Sequence, residues 1–390
     1  MPLQSAALAD NNALPPRIVS DIMDASSVKE VCSGMKKMAI LALLLLAVCV
    51  LSPAGAQTQK FSAVYLDTFD TVIQFIAYAE DEATFNQWSE NVHEAYLYMH
   101  KLFDTYHTYD QENIVSVCAL NQRAASEPVK VDPILFSLLT FCKSQYALCQ
   151  EQVNVAMGSV LSIWHDYREA GLAVPENAAV PPMEALEAAN AHVNIDDLVL
   201  DAENMTVYFA DPALRLDVGA VAKGYATEIV AQMLLAGDMP SFIISAGGNV
   251  RVGQPPLDGR KAWGVGIQDP DGSVLGTGDI VETLFLSGMS VVTSGDYQRY
   301  YVVDGETYHH LIDPDTLTPP RFYRSVSIIT EDSGFADMLS TAAFLMPYEQ
   351  SRAFIESLDG VEAIWLFPDG SKEMTDGAKA VAKSFGATNK

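Results

Sequence analysis

The chain has 390 residues, room for one large domain or two modest ones, and its 49% apolar content excludes a disordered polymer. Its 50 acidic residues against 23 basic ones give a formal charge of −27, which argues against nucleic acid as a partner. An anionic ligand would need local help from a lysine or a bound divalent cation.

Residues 1–34 read as an upstream extension, with Met35 as the expected true start. Met35–Ala56 carries two lysines, an apolar run from Ala39 to Leu51 and a small-residue end at Ala54-Gly55-Ala56, the pattern of a secretory signal peptide cleaved after Ala56. A retained membrane anchor is the alternative. The leader holds Arg17, Lys29, Lys36 and Lys37 against Asp10, Asp21, Asp24 and Glu30, so the mature charge stays at −27. The protein is therefore expected to be exported across the plasma membrane, to its periplasmic or extracellular face. Three cysteines remain. Cys142 and Cys149 fall seven apart on one expected helix, about 10.5 Å along its axis and too far to bridge. Buried free thiols are the expected state of both and of Cys118.

Tyr65–Tyr78 is β-rich, with Phe69-Asp70-Thr71 interrupting it. Glu82–Tyr106 places Phe85, Trp88, Val92, Ala95, Tyr96, Met99 and Phe103 at helical spacing. Tyr106-His107-Thr108-Tyr109 follows and could stack on a planar ligand. Pro133–Val153 reads as a second helix, Asn154–Arg168 as a Gly-Ser turn running into an aromatic patch, and 171–182 as a Pro/Ala-rich loop. In that patch His165 reads as a surface histidine. Met183–His192 reads as a helix, Leu198–Leu200 and Thr206–Phe209 as paired strands.

Asp217–Ala226, DVGAVAKGYA, reads as strand, tight turn and helix N-terminus. Anions bind such termini, and Gly219, Gly224 and Lys223 suit a close approach and a mobile positive charge. Ser241–Val252 is a hairpin around Gly247-Gly248-Asn249, with Asn249 suited to positive φ. Strands follow at Trp263–Gln268, Thr283–Ser287, Ser290–Thr293, Val326–Thr330 and Ile364–Phe367, a helix at Ala336–Met346, and a polar tail over 371–390. Many strands with helices gathered near both ends predict an α+β fold with a largely antiparallel sheet.

Asp337 and Thr341 stand four apart on one helix face, and two hard oxygen ligands there would suit Mg²⁺. His310 lies in a His-x-x-Asp-Pro turn where its imidazole could act as a base and Asp313 could orient it or hold the turn.

Taken together, Phe69-Asp70-Thr71, Asp217–Ala226, Ala246-Gly247-Gly248-Asn249, Thr293-Ser294-Gly295-Asp296-Tyr297, His309–Pro314 and Asp337–Ala342 resemble, in order, the motifs of the ApbE-type flavin transferases. The match runs over about residues 61–370 within an expected domain of 57–370. The resemblance implies a T-fold-like α+β unit that binds FAD with Mg²⁺ and moves FMN onto a threonine hydroxyl of a partner protein, releasing AMP. That partner would be an extracytoplasmic electron-transfer subunit with a flavinylation-type threonine motif. By position, Asp217 and Lys223 would contact FAD, with Phe69, Tyr106, Gly247, Gly248, Asn249, Ser294, Gly295 and Asp296 completing its site. Mg²⁺ would be held by the Ala220 carbonyl, Asp337 and Thr341, with Gly334 as a further carbonyl. His310 would activate the acceptor hydroxyl beside Asp337. FAD hydrolysis to FMN and AMP is one alternative, and a protein that holds FAD without turnover is another. The chain departs from the family at Phe69-Asp70, at Asn154–Gly158, and at Asp315–Pro320 after the Asp-Pro turn.

Overall fold

The computed structural model describes residues 58–272 and 280–390. The expected upstream extension and signal peptide lie outside the described residues. Strands β1 (Gln59–Thr68) and β2 (Thr71–Ala79) form a hairpin, and helix α1 (Glu82–Phe103) follows, capped where Asp81 accepts from the Thr84 N–H. Then come α2 (Val117–Arg123), β3 (Val129–Lys130), α3 (Pro133–Gln145), α4 (Gly158–Ala173), α5 (Met183–Asn190), β4 (Leu198–Asp201) and β5 (Thr206–Phe209). Helix α6 (Ala222–Ala236) leads into β6 (Phe242–Ala246), β7 (Asn249–Val252), β8 (Trp263–Gln268), β9 (Ile280–Leu286) and β10 (Ser290–Gly295). The chain ends through β11 (Tyr300–Val303), β12 (Glu306–His309), β13 (Ser325–Thr330), α7 (Ser333–Leu345), α8 (Tyr348–Glu356), β14 (Glu362–Leu366), β15 (Lys372–Met374) and α9 (Asp376–Val381).

Eight strands make the main sheet in the order β1-β2-β6-β7-β10-β13-β14-β15, with every pair antiparallel. The expected α+β class is what forms. Both sheet faces are covered, so the central strand β13 is buried at all six positions. On one face α1, α6 and α7 close a large core around Phe75, Tyr96, Phe242 and Phe344. On the other, the β8–β9 ribbon turns Trp263, Val265 and Ile267 onto Val252, Val291, Ile329 and Ile364. A third cluster joins α4 and α5 to the β11–β12 hairpin around Trp164, Leu186 and Tyr301. Among the described residues no helix is long and apolar enough to cross a membrane.

Several expected elements take a different form. Asn154–Arg168 is largely the helix α4. It begins without a side-chain cap at Met157, so the usual start signal is missing from the sequence. Helix α3 stops at Gln145, and Gln150 and Glu151 take positive φ (50° and 63°) beyond it. Cys142 and Cys149 therefore do not share a helix, and all three thiols are free and buried. Leading into Asp217 only an isolated bridge, Met157 to Arg215, stands where the DVGAVAKGYA segment is expected to open as a strand. Gly247 and Gly248, not Asn249, take positive φ in the β6–β7 turn. A Cβ on Gly247 would come 2.1 Å from Thr71 Oγ1, so this turn is pressed against the β1–β2 hairpin. The expected tail at 371–390 is folded as β15, α9 and a further turn, with Met374, Ala378 and Ala382 buried.

Candidate active site

A cleft of about 680 Å³ opens where the β1–β2 turn, the loop after α1, the N-terminus of α6, the β6–β7 turn and α7 converge. Phe69, Tyr106, Asp217, Ala220, Lys223, Gly247, Asn249, Ser294, Gly295, His310, Asp337 and Thr341 all line it. Gly248, Asp296 and Gly334 do not appear on its wall. Asp296 pairs instead with Arg324 at 3.1 Å. Gly334 sits in the first turn of α7, where an added Cβ would stand 3.2 Å from Tyr225 Cα.

Close approach of α6 to α7 sets the centre of the site. A Cβ on Gly224 would meet the Ser333 carbonyl oxygen at 2.2 Å and Asp337 Cβ at 2.5 Å, so only glycine allows the contact. It brings the Gly224 N–H to 2.8 Å from Asp337 Oδ2, and Lys223 Nζ to 3.9 Å from the same oxygen. The Gly224 N–H in the first turn of this helix is thus taken by the protein's own carboxylate. Burial pushes the Asp337 carboxyl up, against the pull of Lys223 and the Gly224 N–H.

Thr341 stands one turn along α7, its hydroxyl 3.3 Å from Ser294 Oγ, which also meets Ser340 Oγ at 2.8 Å. Asn249 is buried beside them with Nδ2 unpartnered. The buried Asp337 carboxylate and the Thr341 hydroxyl are hard oxygens that fit a small divalent cation, whereas Asn249 Nδ2 is a donor and suits an acceptor oxygen of a ligand. Among the described residues there is no cluster of three or more His, Cys, Asp or Glu side chains that could hold a metal, so backbone and ligand oxygens would have to complete any such site.

His310 receives an orientation from the backbone. The Arg299 carbonyl accepts both its N–H, at 3.1 Å, and its Nδ1–H, at 3.2 Å. A carbonyl can only accept, so the ring proton is on Nδ1 and the Nε2 lone pair is left to take a proton. Burial, followed by Arg299, His309, Lys223 and Arg168, pushes the imidazole down to about 3. His309 is fixed structurally, with Nε2–H donating to the Pro320 carbonyl at 2.7 Å and Nδ1 accepting from the Leu311 N–H. Asp313 accepts from the Asp315 N–H and the Thr316 hydroxyl, so it holds its turn and does not orient His310.

Asp217 accepts from the Gly219 N–H at 2.8 Å and is pushed up by burial. Sequence reasoning missed three lining cations or donors: His165, Arg168 and Arg299. His165 and Arg168 lie one turn apart on α4, the helix whose start carried no sequence signal. Arg168, Lys223 and Arg299 thus face the cleft together with the carboxylates of Asp70, Asp104, Asp217 and Asp337.

The sequence profile of the ApbE family matches residues 69–365. The FAD:protein FMN transferase of Treponema pallidum is 35% identical over 267 residues, covering 65% of this chain and 71% of that protein. A Klebsiella pneumoniae FAD:protein FMN transferase is 29% identical over 251 residues, covering 64% and 74%. In fold, the crystal structure of the ApbE protein of Thermotoga maritima superposes with a TM-score of 0.71 at 28% identity, over 83% of this chain and 99% of that one. The Vibrio cholerae flavin transferase ApbE gives 0.66 at 21% identity over the same shares, a likeness of fold.

Proposed function

Because the chain belongs to the ApbE family and is by class an FAD:protein FMN transferase, we propose that it transfers FMN from FAD to a threonine hydroxyl of a partner protein and releases AMP. The observation that carries this reading is the convergence of Lys223, His310, Asp337 and Thr341 on one cleft large enough for a dinucleotide.

Displacement at a diphosphate needs positioning and charge neutralisation more than covalent help from the protein. Lys223 meets the diphosphate as a point charge, with Arg168 and Arg299 adding to the positive field. His310 accepts the threonine proton at Nε2, the nitrogen that its bond to Arg299 leaves free. The threonine oxygen forms a bond to the FMN phosphorus, the bridging P–O bond breaks, and AMP leaves with that oxygen. Asp337 and Thr341, with the Ala220 carbonyl, would hold Mg²⁺; when bound, the ion would neutralise charge on the phosphate oxygens. The buried, partly compensated Asp337 supports a cation there. The leader-like Met35–Ala56 supports a site of action beyond the plasma membrane, where the acceptor would be an electron-transfer subunit.

The test incubates the protein with FAD, Mg²⁺ and an acceptor bearing a threonine site, read by intact-mass spectrometry against a chelated control. An FMN-sized gain on the acceptor with metal-dependent AMP release is expected. AMP and free FMN with no labelled acceptor would replace transfer by hydrolysis, and unchanged FAD on the protein would remove catalysis from the account.

A further inference from the structure

Tyr106, His165 and Arg168 form a connected unit on the cleft wall. The Tyr106 and His165 rings stack with centroids 4.5 Å apart and planes at 26°. Arg168 Nη2 donates to His165 Nδ1 at 2.9 Å, and the Tyr106 hydroxyl meets the same nitrogen at 3.2 Å. A guanidinium cannot accept, so Nδ1 carries the lone pair and the ring proton is on Nε2. That Nε2–H closes no hydrogen bond among the described residues, and the ring lines the cleft.

Both halves of the stack are held from behind. Arg168 has a side chain only 16% exposed and pairs with Glu169 at 3.2 Å. On the other half, Asp104 fixes the loop that carries Tyr106: Oδ1 accepts from the Tyr106 and His107 N–H groups, and Oδ2 from the Tyr109 hydroxyl. Burial alone would raise the Asp104 carboxyl, yet these donors hold it below its ordinary value. A pair of rings kept rigid, half open to a cleft and presenting one unused donor has the form of a binding wall for a flat heteroaromatic group with an acceptor at its edge.

Resting on the transferase reading above, we infer that His165, oriented by Arg168, is a specificity-determining residue that receives the isoalloxazine ring of the flavin and offers Nε2–H to a ring carbonyl. Met157, Leu161 and Trp164 line the cleft beside it, which favours the larger and more apolar of the two ring systems of FAD. Isoalloxazine offers two ring carbonyls to this donor, whereas adenine can accept only at ring nitrogens. A site built to satisfy a polar group on its ligand discriminates strongly against ligands that lack it.

The full chain and its His165→Ala, His165→Phe and Arg168→Gln variants are titrated with FAD, FMN and ADP. His165→Ala is expected to weaken FAD and FMN about tenfold, within the range for one stacked ring and one hydrogen bond, and to leave ADP within about twofold. His165→Phe keeps a ring but no donor, and should lose about threefold. Arg168→Gln should weaken FMN, and adding it to His165→Ala should cost nothing more, because the two act as a unit. Unchanged ADP binding shows that the His165 variants are folded, and an unchanged melting temperature shows it for Arg168→Gln, whose guanidinium also faces the diphosphate. Loss confined to ADP would give the wall to adenine and overturn the assignment. Wild-type transfer with undiminished FAD affinity in His165→Ala overturns this inference alone. Conversely, wild-type protein that binds FMN through His165 but moves no FMN from FAD overturns the transferase reading and upholds the ring wall.

Discussion

Burial perturbs both His310 and Asp337, pushing the imidazole down and the carboxyl above its ordinary value. For His310 this means an imidazole that takes up no second proton in the ligand-free protein until the pH falls to about 3. Filling the cleft with a diphosphate offsets Arg299, Lys223 and Arg168, so the titration should move upward, toward the ordinary histidine range of about 6.5. Following the His310 ring by NMR with and without FAD checks this; a titration that stays put would place the phosphates away from these cations. The same geometry predicts that His310→Ala abolishes FMN transfer while sparing FAD binding, by equilibrium titration. Loss of both would make His310 a binding residue. Asp337→Ala should remove metal-dependent turnover, and turnover that persists unchanged would remove the carboxylate from the site chemistry.

The buried pair Arg251 and Glu228 connects three elements of the site. Arg251 Nε on β7 meets Glu228 Oε2 on α6 at 3.1 Å, and the same oxygen accepts from the Ser333 N–H at the start of α7. Their side chains are 4% and 3% exposed. Asp332, the cap of α7, is pushed up to about 7 by its own burial and then by Glu228. Arg251→Met leaves the Glu228 charge uncompensated and should destabilise the fold by about 3–5 kcal/mol in denaturant titration, with the Glu228→Leu partner change recovering much of the loss. A single-variant cost under about 1 kcal/mol would mean that water reaches the pair and screens it. Other elements were legible in their own residues. Asp81 and Asp332 cap α1 and α7, and the alternation of Trp263, Val265 and Ile267 gives a one-faced strand. Helix α4 was not legible, because its first residue is Gly158 and nothing before it caps.

At the scale of the molecule, the last 20 residues close the second core. Glu282 on β9 accepts from Lys372 Nζ at 2.6 Å, from the Ser384 N–H at 3.1 Å and from the Ser384 hydroxyl, tying the chain end to the β8–β9 ribbon. Burial would raise this carboxyl, yet the bonds from Lys372 and Ser384 bring it down to about 2. Its contribution is complete above the ordinary glutamate value of about 4.3 and is lost as pH falls toward about 2. Glu282→Gln should therefore lower the melting temperature at pH 7 and flatten its fall in acid. Equal acid sensitivity in the variant and the wild type would assign acid unfolding to other carboxylates.

Composition and local pattern by themselves determined the acidic charge, the β-hairpins, the capped helices and the ordered motifs that resemble the ApbE family, because each depends on residues close together in the chain. Tertiary structure decided the rest. The Gly224 N–H in the first turn of α6 is taken by Asp337 from 113 residues away, through a contact that only Gly224 permits. His165 turned from a surface histidine into part of the cleft because Arg168 fixes one nitrogen and Tyr106 covers one face, partners that lie on two separate elements. The polar residues after 370 are folded because their few apolar side chains fill a gap between sheet and ribbon that no local pattern encodes.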